Sequence, residues 1–292
     1  MNGPEKKPEW LKVSYNRQAV EEVARMMKDL GLNTVCKEAN CPNLGECYRK
    51  HTATFMIMGS ACTRNCRFCN VSCGKPTPLD PEEPRHLAEA AKKMDLRHVV
   101  VTCVTRDDLP DGGASHFAAV VRELRSRCPG TTVELLISDM KGDHAALDTI
   151  LACPPDVLNH NVETVPSLYR AVRPQAIYER SLDVLRYCKE KRRDMLTKTG
   201  FMVGLGERDE EIYALMDDVL ATGCDILTIS QYLRPSPDHY PLDRYVSPAG
   251  FDEYKRIALE KGFRHVVSTP LTRSSYMAAD ALNAIKKQGN EV

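Results

Sequence analysis

From about residue 97 onward the chain alternates two kinds of segment. Short apolar runs rich in β-branched residues come first: Arg97–Val104, Thr132–Ile137, Val157–Val162, Met195–Val203, Ile226–Leu233 and His265–Thr269. Between them lie longer stretches with apolar residues at helical spacing: Ser115–Arg127, His144–Ala152, Tyr178–Arg193, Glu207–Thr222 and Ser247–Lys261. An earlier run, Thr52–Met58, supplies a first strand, with Glu82–Met94 as its helix. Strands alternating with helices predict parallel β/α units joined by right-handed crossovers. About six units, six or seven by count, fall short of the eight of a closed barrel. The expected fold is therefore α/β, a partial, open TIM-like barrel, with a doubly wound open sheet as the alternative. In both, functional groups gather at the carboxyl ends of the strands. The expected organisation is a front extension over residues 1–50, a barrel over 51–269 and a C-terminal extension over 270–292. The front segment holds one helical stretch, Arg17–Leu30, and then a loop.

Charge and composition narrow the class. The 292 residues include 40 basic and 40 acidic side chains, and 42% are hydrophobic. A chain of this size and mixture buries a sufficient core without disulfides. Zero formal charge argues against a nucleic-acid partner. The block Lys189-Glu190-Lys191-Arg192-Arg193 reads as a solvated helix end. No apolar run is long enough to span a membrane, and Met1–Asn16 carries no signal core. A reducing, cytoplasmic setting is expected, where clustered cysteines favour metal or redox chemistry over structural bridges.

The cysteines are unevenly placed: six of the 12 fall between Cys36 and Cys69. They form two triplets. The second, Cys62-x3-Cys66-x2-Cys69, follows the first strand directly and has Phe68 before its last cysteine. Three thiolates can hold a 4Fe–4S cluster with one iron left open to an exogenous molecule. The first triplet is Cys36-x4-Cys41-x5-Cys47. Zinc is the alternative at the second triplet, and for the first a site of one or two zinc ions shared by both triplets, although zinc prefers four ligands and only Cys66 and Cys69 make a C-x2-C pair.

The second triplet resembles that of the radical S-adenosylmethionine superfamily. With the front loop Glu38-Ala39-Asn40-Cys41-Pro42-Asn43, the chain is similar to the lipoyl synthase family. The likeness extends to Arg106-Asp107-Asp108-Leu109-Pro110-Asp111-Gly112-Gly113, Asn159-His160-Asn161-Val162-Glu163-Thr164, Lys198-Thr199-Gly200 and Arg273-Ser274-Ser275-Tyr276. It runs from about Trp10 to Tyr276. The resemblance implies that Cys62, Cys66 and Cys69 hold a 4Fe–4S cluster whose open iron binds S-adenosylmethionine, and that its reductive cleavage yields a 5′-deoxyadenosyl radical. It implies a second, auxiliary 4Fe–4S cluster on Cys36, Cys41 and Cys47, with Ser275 as a weak fourth ligand. That cluster would be consumed as the sulfur donor. The implied reaction inserts two sulfur atoms at carbons six and eight of a protein-bound octanoyl group. The implied partners are octanoylated lipoyl carrier domains, of a 2-oxoacid dehydrogenase or the glycine-cleavage system, and an electron donor.

Residue chemistry alone is less decisive for the rest. A serine pair ahead of Tyr276-Met277-Ala278 also reads as a helix cap. Asn161 and Glu163 lie two apart on one strand and share a face. Together with Phe68, Thr105, Arg173 and Lys198 they are the candidate S-adenosylmethionine contacts, the two cations by charge against its carboxylate; filling a polar barrel interior is the alternative. Gly204-Leu205-Gly206-Glu207 is a weak phosphate signal and is expected to be a turn near the adenosyl group. The histidines show no ligand spacing. Cys103, Cys128, Cys153, Cys188 and Cys224 read as small core residues, and Cys73 finds no place.

Overall fold

The computed structural model describes residues 7–11, 32–34, 52–275 and 278–290. Cys36, Cys41 and Cys47, the stretch Arg17–Leu30 and Tyr276 lie outside the described residues.

Among the described residues, eight strands form one sheet in sequential order. Strand β1 (Asn33–Thr34) pairs antiparallel to β2 (Thr52–Ile57). From β2 onward every pairing is parallel: β3 (His98–Cys103), β4 (Thr132–Leu136), β5 (Val157–Asn159), β6 (Leu196–Val203), β7 (Ile226–Gln231) and β8 (His265–Ser268). A helix follows each parallel strand: α1 (Glu83–Lys93), α2 (Ala114–Arg127), α3 (His144–Leu151), α4 (Tyr178–Lys191), α5 (Asp209–Leu220), α6 (Pro248–Lys261) and α7 (Ala278–Asn290). Among the described residues no pairing joins β8 back to β1 or β2, so the barrel is partial and open. The seventh unit is built from the tail that sequence reasoning set outside the repeat.

The strands run apolar because helices and bore bury both their faces. Outward residues Val99, Val101, Val133 and Leu135 pack with Leu87 of α1 and Phe117 of α2. Phe201, Val203 and Ile229 do the same with Ile212 of α5 and Phe251 of α6. Local chemistry sets the helix starts. The Asp143 carboxylate accepts from Ala145 N at the start of α3, and the Ser247 hydroxyl accepts from Gly250 N at the start of α6.

The bore is layered by the period-two alternation of the strands. At the strand starts, Val157, Leu196 and Ile226 meet Ala281, Leu282 and Ile285 of α7, which closes the bottom. One layer higher the interior is polar and dry: Glu134, Asn159, Lys198 and His98 are each at most 1% exposed. Above that, toward the carboxyl ends, Gly200 of β6 and Thr228 of β7 are register partners, and Asn161 and Glu163 follow β5 beside them.

Candidate functional site

The loop after β2 carries Cys62, Cys66 and Cys69, all half-buried. It is sewn to three other strand ends. Thr63 donates to the Thr105 carbonyl beyond β3 from both N (3.0 Å) and Oγ1 (2.9 Å). Arg67 N donates to Val172 O (2.9 Å) beyond β5. Tyr240 N, beyond β7, donates to Arg67 O (2.8 Å), and His239 Nε2 donates to Cys69 O (3.1 Å). Phe68 packs against the buried cluster of Val172, Leu205 and Tyr232, as does Tyr240. Parallel topology thus places loops distant in sequence around one thiol loop.

Backbone N–H groups face two of the sulfurs: Arg64 N donates to Cys62 Sγ at 3.4 Å and Val71 N to Cys69 Sγ at 3.5 Å. The Arg173 guanidinium lies beside Cys66. Burial nevertheless raises the Cys66 thiol and pushes Cys69 up to about 12. Among the described residues no three Cys, His, Asp or Glu side chains are placed to hold a metal ion, so what the loop offers an iron–sulfur cluster is the chemistry of its donors: three cysteines, N–H groups on two of the sulfurs and an adjacent cation. Cys73 is exposed and pairs with Cys62 in a short parallel bridge, on the return path of the same loop.

Opposite the thiol loop stands the end of β5. It stops at Asn159, earlier than expected from sequence, because the chain leaves the ladder and Glu163 adopts a left-handed φ of 67°. Its hydrogen bonds to β6 resume there: Glu163 N to Gly200 O and Met202 N to Glu163 O, each 2.9 Å. A side chain in this region of backbone space stores strain, and such strain clusters at functional sites. Burial raises the Glu163 carboxyl against the opposing Arg173 charge. Asn161 Nδ2 donates to Glu163 Oε1 (3.1 Å) and to Ser274 Oγ (2.7 Å). Its Oδ1 is buried with no hydrogen-bond partner among the described residues. Arg173 Nη1 donates to the carbonyls of Asn161 (3.1 Å) and Val162 (3.3 Å) and to Tyr169 Oη (2.8 Å). A Cβ at Gly200 would stand 2.2 Å from Thr228 Oγ1 and 3.3 Å from Asn161 Oδ1, so glycine there keeps the mouth open.

The structure therefore gathers Phe68, Thr105, Asn161, Glu163 and Arg173 around the thiol loop and the end of β5. Ser275, half-buried, follows directly on Ser274, which brings the C-terminal segment over the mouth. Lys198 departs from expectation. Its ammonium is spent on Glu134, at 2.9 Å from Oε1 and 3.2 Å from Oε2, one layer below the mouth. The carboxylate it was expected to meet is one of the chain's own. The glycine segment is a turn: Gly204 N (2.7 Å) and Leu205 N (2.8 Å) donate to the Glu207 carboxylate, so this small anion nest is filled from within. His160 is structural. Its Nδ1 donates to Ile137 O (3.0 Å), Nε2 meets Ser181 Oγ (3.1 Å), and burial lowers its pKa to about 4.

Sequence reasoning missed Arg64, Asp139, His239 and Gln175. Gln175 Oε1 accepts from Asn65 N (2.6 Å). Only Arg64 carried a signal, as a cation placed between two ligand cysteines.

The radical SAM superfamily model matches residues 56–219. A lipoyl synthase of Caldanaerobacter subterraneus subsp. tengcongensis is 56% identical over 273 residues, covering 94% of this chain and 96% of its own. One from Caldicellulosiruptor saccharolyticus is 52% identical over 281 residues, covering 96% and 99%. Among solved structures, a maturase of the FeFe-hydrogenase aligns at TM-score 0.60 with 16% identity, covering 93% of this chain and 67% of its own. A methylornithine synthase aligns at TM-score 0.52 with 14% identity, covering 94% of each. These two share the fold.

Proposed function

Because the chain belongs to the lipoyl synthase family of the radical S-adenosylmethionine superfamily, we infer that it inserts two sulfur atoms into a protein-bound octanoyl group, at carbons six and eight. The observation that carries this reading is identity of about half or more to lipoyl synthases over nearly the whole chain. Its cofactors are two 4Fe–4S clusters, with S-adenosylmethionine as co-substrate. When bound, they supply the reducing electron, the hydrogen-abstracting radical and the sulfur.

The chain's own residues hold and orient. Cys62, Cys66 and Cys69 are proposed to bind the cluster that faces S-adenosylmethionine, and Cys36, Cys41, Cys47 and Ser275 the auxiliary one. A serine oxygen is a harder, weaker match to cluster iron than a thiolate, which suits a ligand that must let go. The unpartnered Asn161 Oδ1 supports a contact to the amino group of S-adenosylmethionine, with the Glu163 carboxylate beside it. Arg173 supports its carboxylate by charge. Phe68 and Thr105 shape the wall, and the buried Tyr169 hydroxyl accepts from Arg173 and steadies it.

A lipoyl carrier protein is the substrate partner. Carrier domains of 2-oxoacid dehydrogenases or of the glycine-cleavage system, an electron donor and a cytoplasmic setting are the finer reading. No helix among the described residues is long and apolar enough to cross a membrane.

The test is anaerobic reconstitution, followed by turnover with S-adenosylmethionine, a reductant and an octanoylated carrier domain. A carrier mass gain corresponding to two sulfurs is expected. Release of 5′-deoxyadenosine with no such gain would refute sulfur insertion.

A further inference from the structure

Arg64 stands inside the C-x3-C spacing, yet its side chain turns away from the sulfurs and is only 4% exposed. Nε and Nη2 make a bidentate pair with Asp107 at 2.7 and 2.9 Å. Nη2 also donates to Asp139 Oδ1 at 2.6 Å. Asp139, with a side chain 0% exposed, sits in the loop after β4 and faces Arg180 Nη1 at 3.5 Å with its other oxygen. Its Oδ1 also accepts from Lys141 N (3.1 Å), which holds a turn where Met140 and Lys141 have left-handed φ of 44° and 54°. Asp107, after β3, is tied back twice. Its N donates to Thr63 Oγ1 (3.1 Å) and its carbonyl accepts from Lys141 Nζ (2.7 Å). The result is a closed circuit through the loops after β2, β3 and β4.

We propose that Arg64 is the positioning residue of the thiol loop, locking it to the loops after β3 and β4 so that Cys62 and Cys66 stand at a fixed separation. The inference rests on the reading that this triplet holds a cluster. Its partners all lie in loops at the carboxyl end, so what the circuit fixes is the relative placement of those loops. The same residue's N–H donates to Cys62 Sγ, so a shift of Arg64 reaches the sulfur directly. Only a guanidinium makes three charge-assisted bonds in two directions; lysine keeps the charge and loses the fork.

The test uses the full chain with Cys36, Cys41 and Cys47 replaced by alanine, so that only one cluster is counted. Arg64→Lys and Asp107→Asn are each introduced into it. Iron per chain, the paramagnetic resonance spectrum of the reduced cluster with and without S-adenosylmethionine, and the reduction potential are measured. Circular dichroism reports the fold. We expect Arg64→Lys to lower bound iron at least two-fold. Asp107→Asn, folded and iron-replete, is expected to shift the potential and the spectrum with S-adenosylmethionine. Folded variants with parental iron, spectrum and potential would overturn the proposal. So would an Arg64→Lys chain that fails to fold beside an Asp107→Asn chain of parental spectrum and potential, since the role would then be stability alone. If Cys62→Ala in the same background leaves iron unchanged, the cluster reading itself is at fault.

Discussion

Replacing Lys198 with methionine tests the polar layer of the bore. The ammonium and the Glu134 carboxylate are each 1% exposed and 2.9 Å apart. Methionine fills a similar volume but leaves the carboxylate with Asn159 Nδ2 at 2.9 Å and His98 Nε2 at 3.8 Å. Stranding one member of a buried pair costs about 3–5 kcal/mol. The pKa gives a second route to the magnitude. Burial raises the Glu134 carboxyl, but Lys198, His98 and Asn159 outweigh it and hold the pKa at about 2, against an ordinary 4.5. That depression is worth about 3 kcal/mol, present in full above the ordinary value and lost as the pH falls through 4.5 toward 2. At about 2–3 °C per kcal/mol, the melting temperature should fall by roughly 6–15 °C. The assay is urea unfolding of the cluster-free protein, followed by circular dichroism from pH 7 down to pH 3. The variant should lose its deficit as wild type weakens in acid. Lys198→Met with Glu134→Leu should recover most of the loss, since an apolar pair has no charge to strand. A single variant as stable as wild type at pH 7 would refute the argument. If it also bound S-adenosylmethionine at least ten-fold more weakly, Lys198 would be a ligand after all.

Three further outcomes are expected. Gly204→Ala should cost about 2 kcal/mol or more in urea unfolding, because the φ of 97° and a Cβ 2.4 Å from the Arg244 carbonyl leave the side chain no room. Ser275→Ala should abolish a serine signature at the auxiliary cluster in Mössbauer spectra, whereas Ser274→Ala should keep that ligand but lose about 1 kcal/mol with its hydrogen bond to Asn161, and Ser274→Thr should restore it. Cys73→Ser should leave iron content unchanged while Cys66→Ala removes roughly half, as measured by metal analysis of the reconstituted chain.

The alternation of strand and helix was legible because each strand is buried on two faces and each helix on one. Expected and observed boundaries differ by a residue or two, as between Thr132–Ile137 and Thr132–Leu136. The early end of β5 was not legible, since Val157–Val162 reads as one apolar strand and only tertiary packing turns Glu163 left-handed. The thiol spacing was legible for a different reason: three thiols on one loop are close in sequence, so local order preserves their grouping.

What the chain order could not hold are the pairings made across the bore and its mouth. Arg64 meets Asp139 across 75 positions, Lys198 meets Glu134 across 64, and Asn161 meets Ser274 across 113. Sequence determined which charges and thiols exist and which strand ends they follow. Parallel pairing in sequential order then brought those ends to one rim, and strand register decided which side chains share a layer. Lys198 shows the difference. Its type announced a buried cation seeking a carboxylate, but its register, one layer below the mouth, decided that the carboxylate would be Glu134.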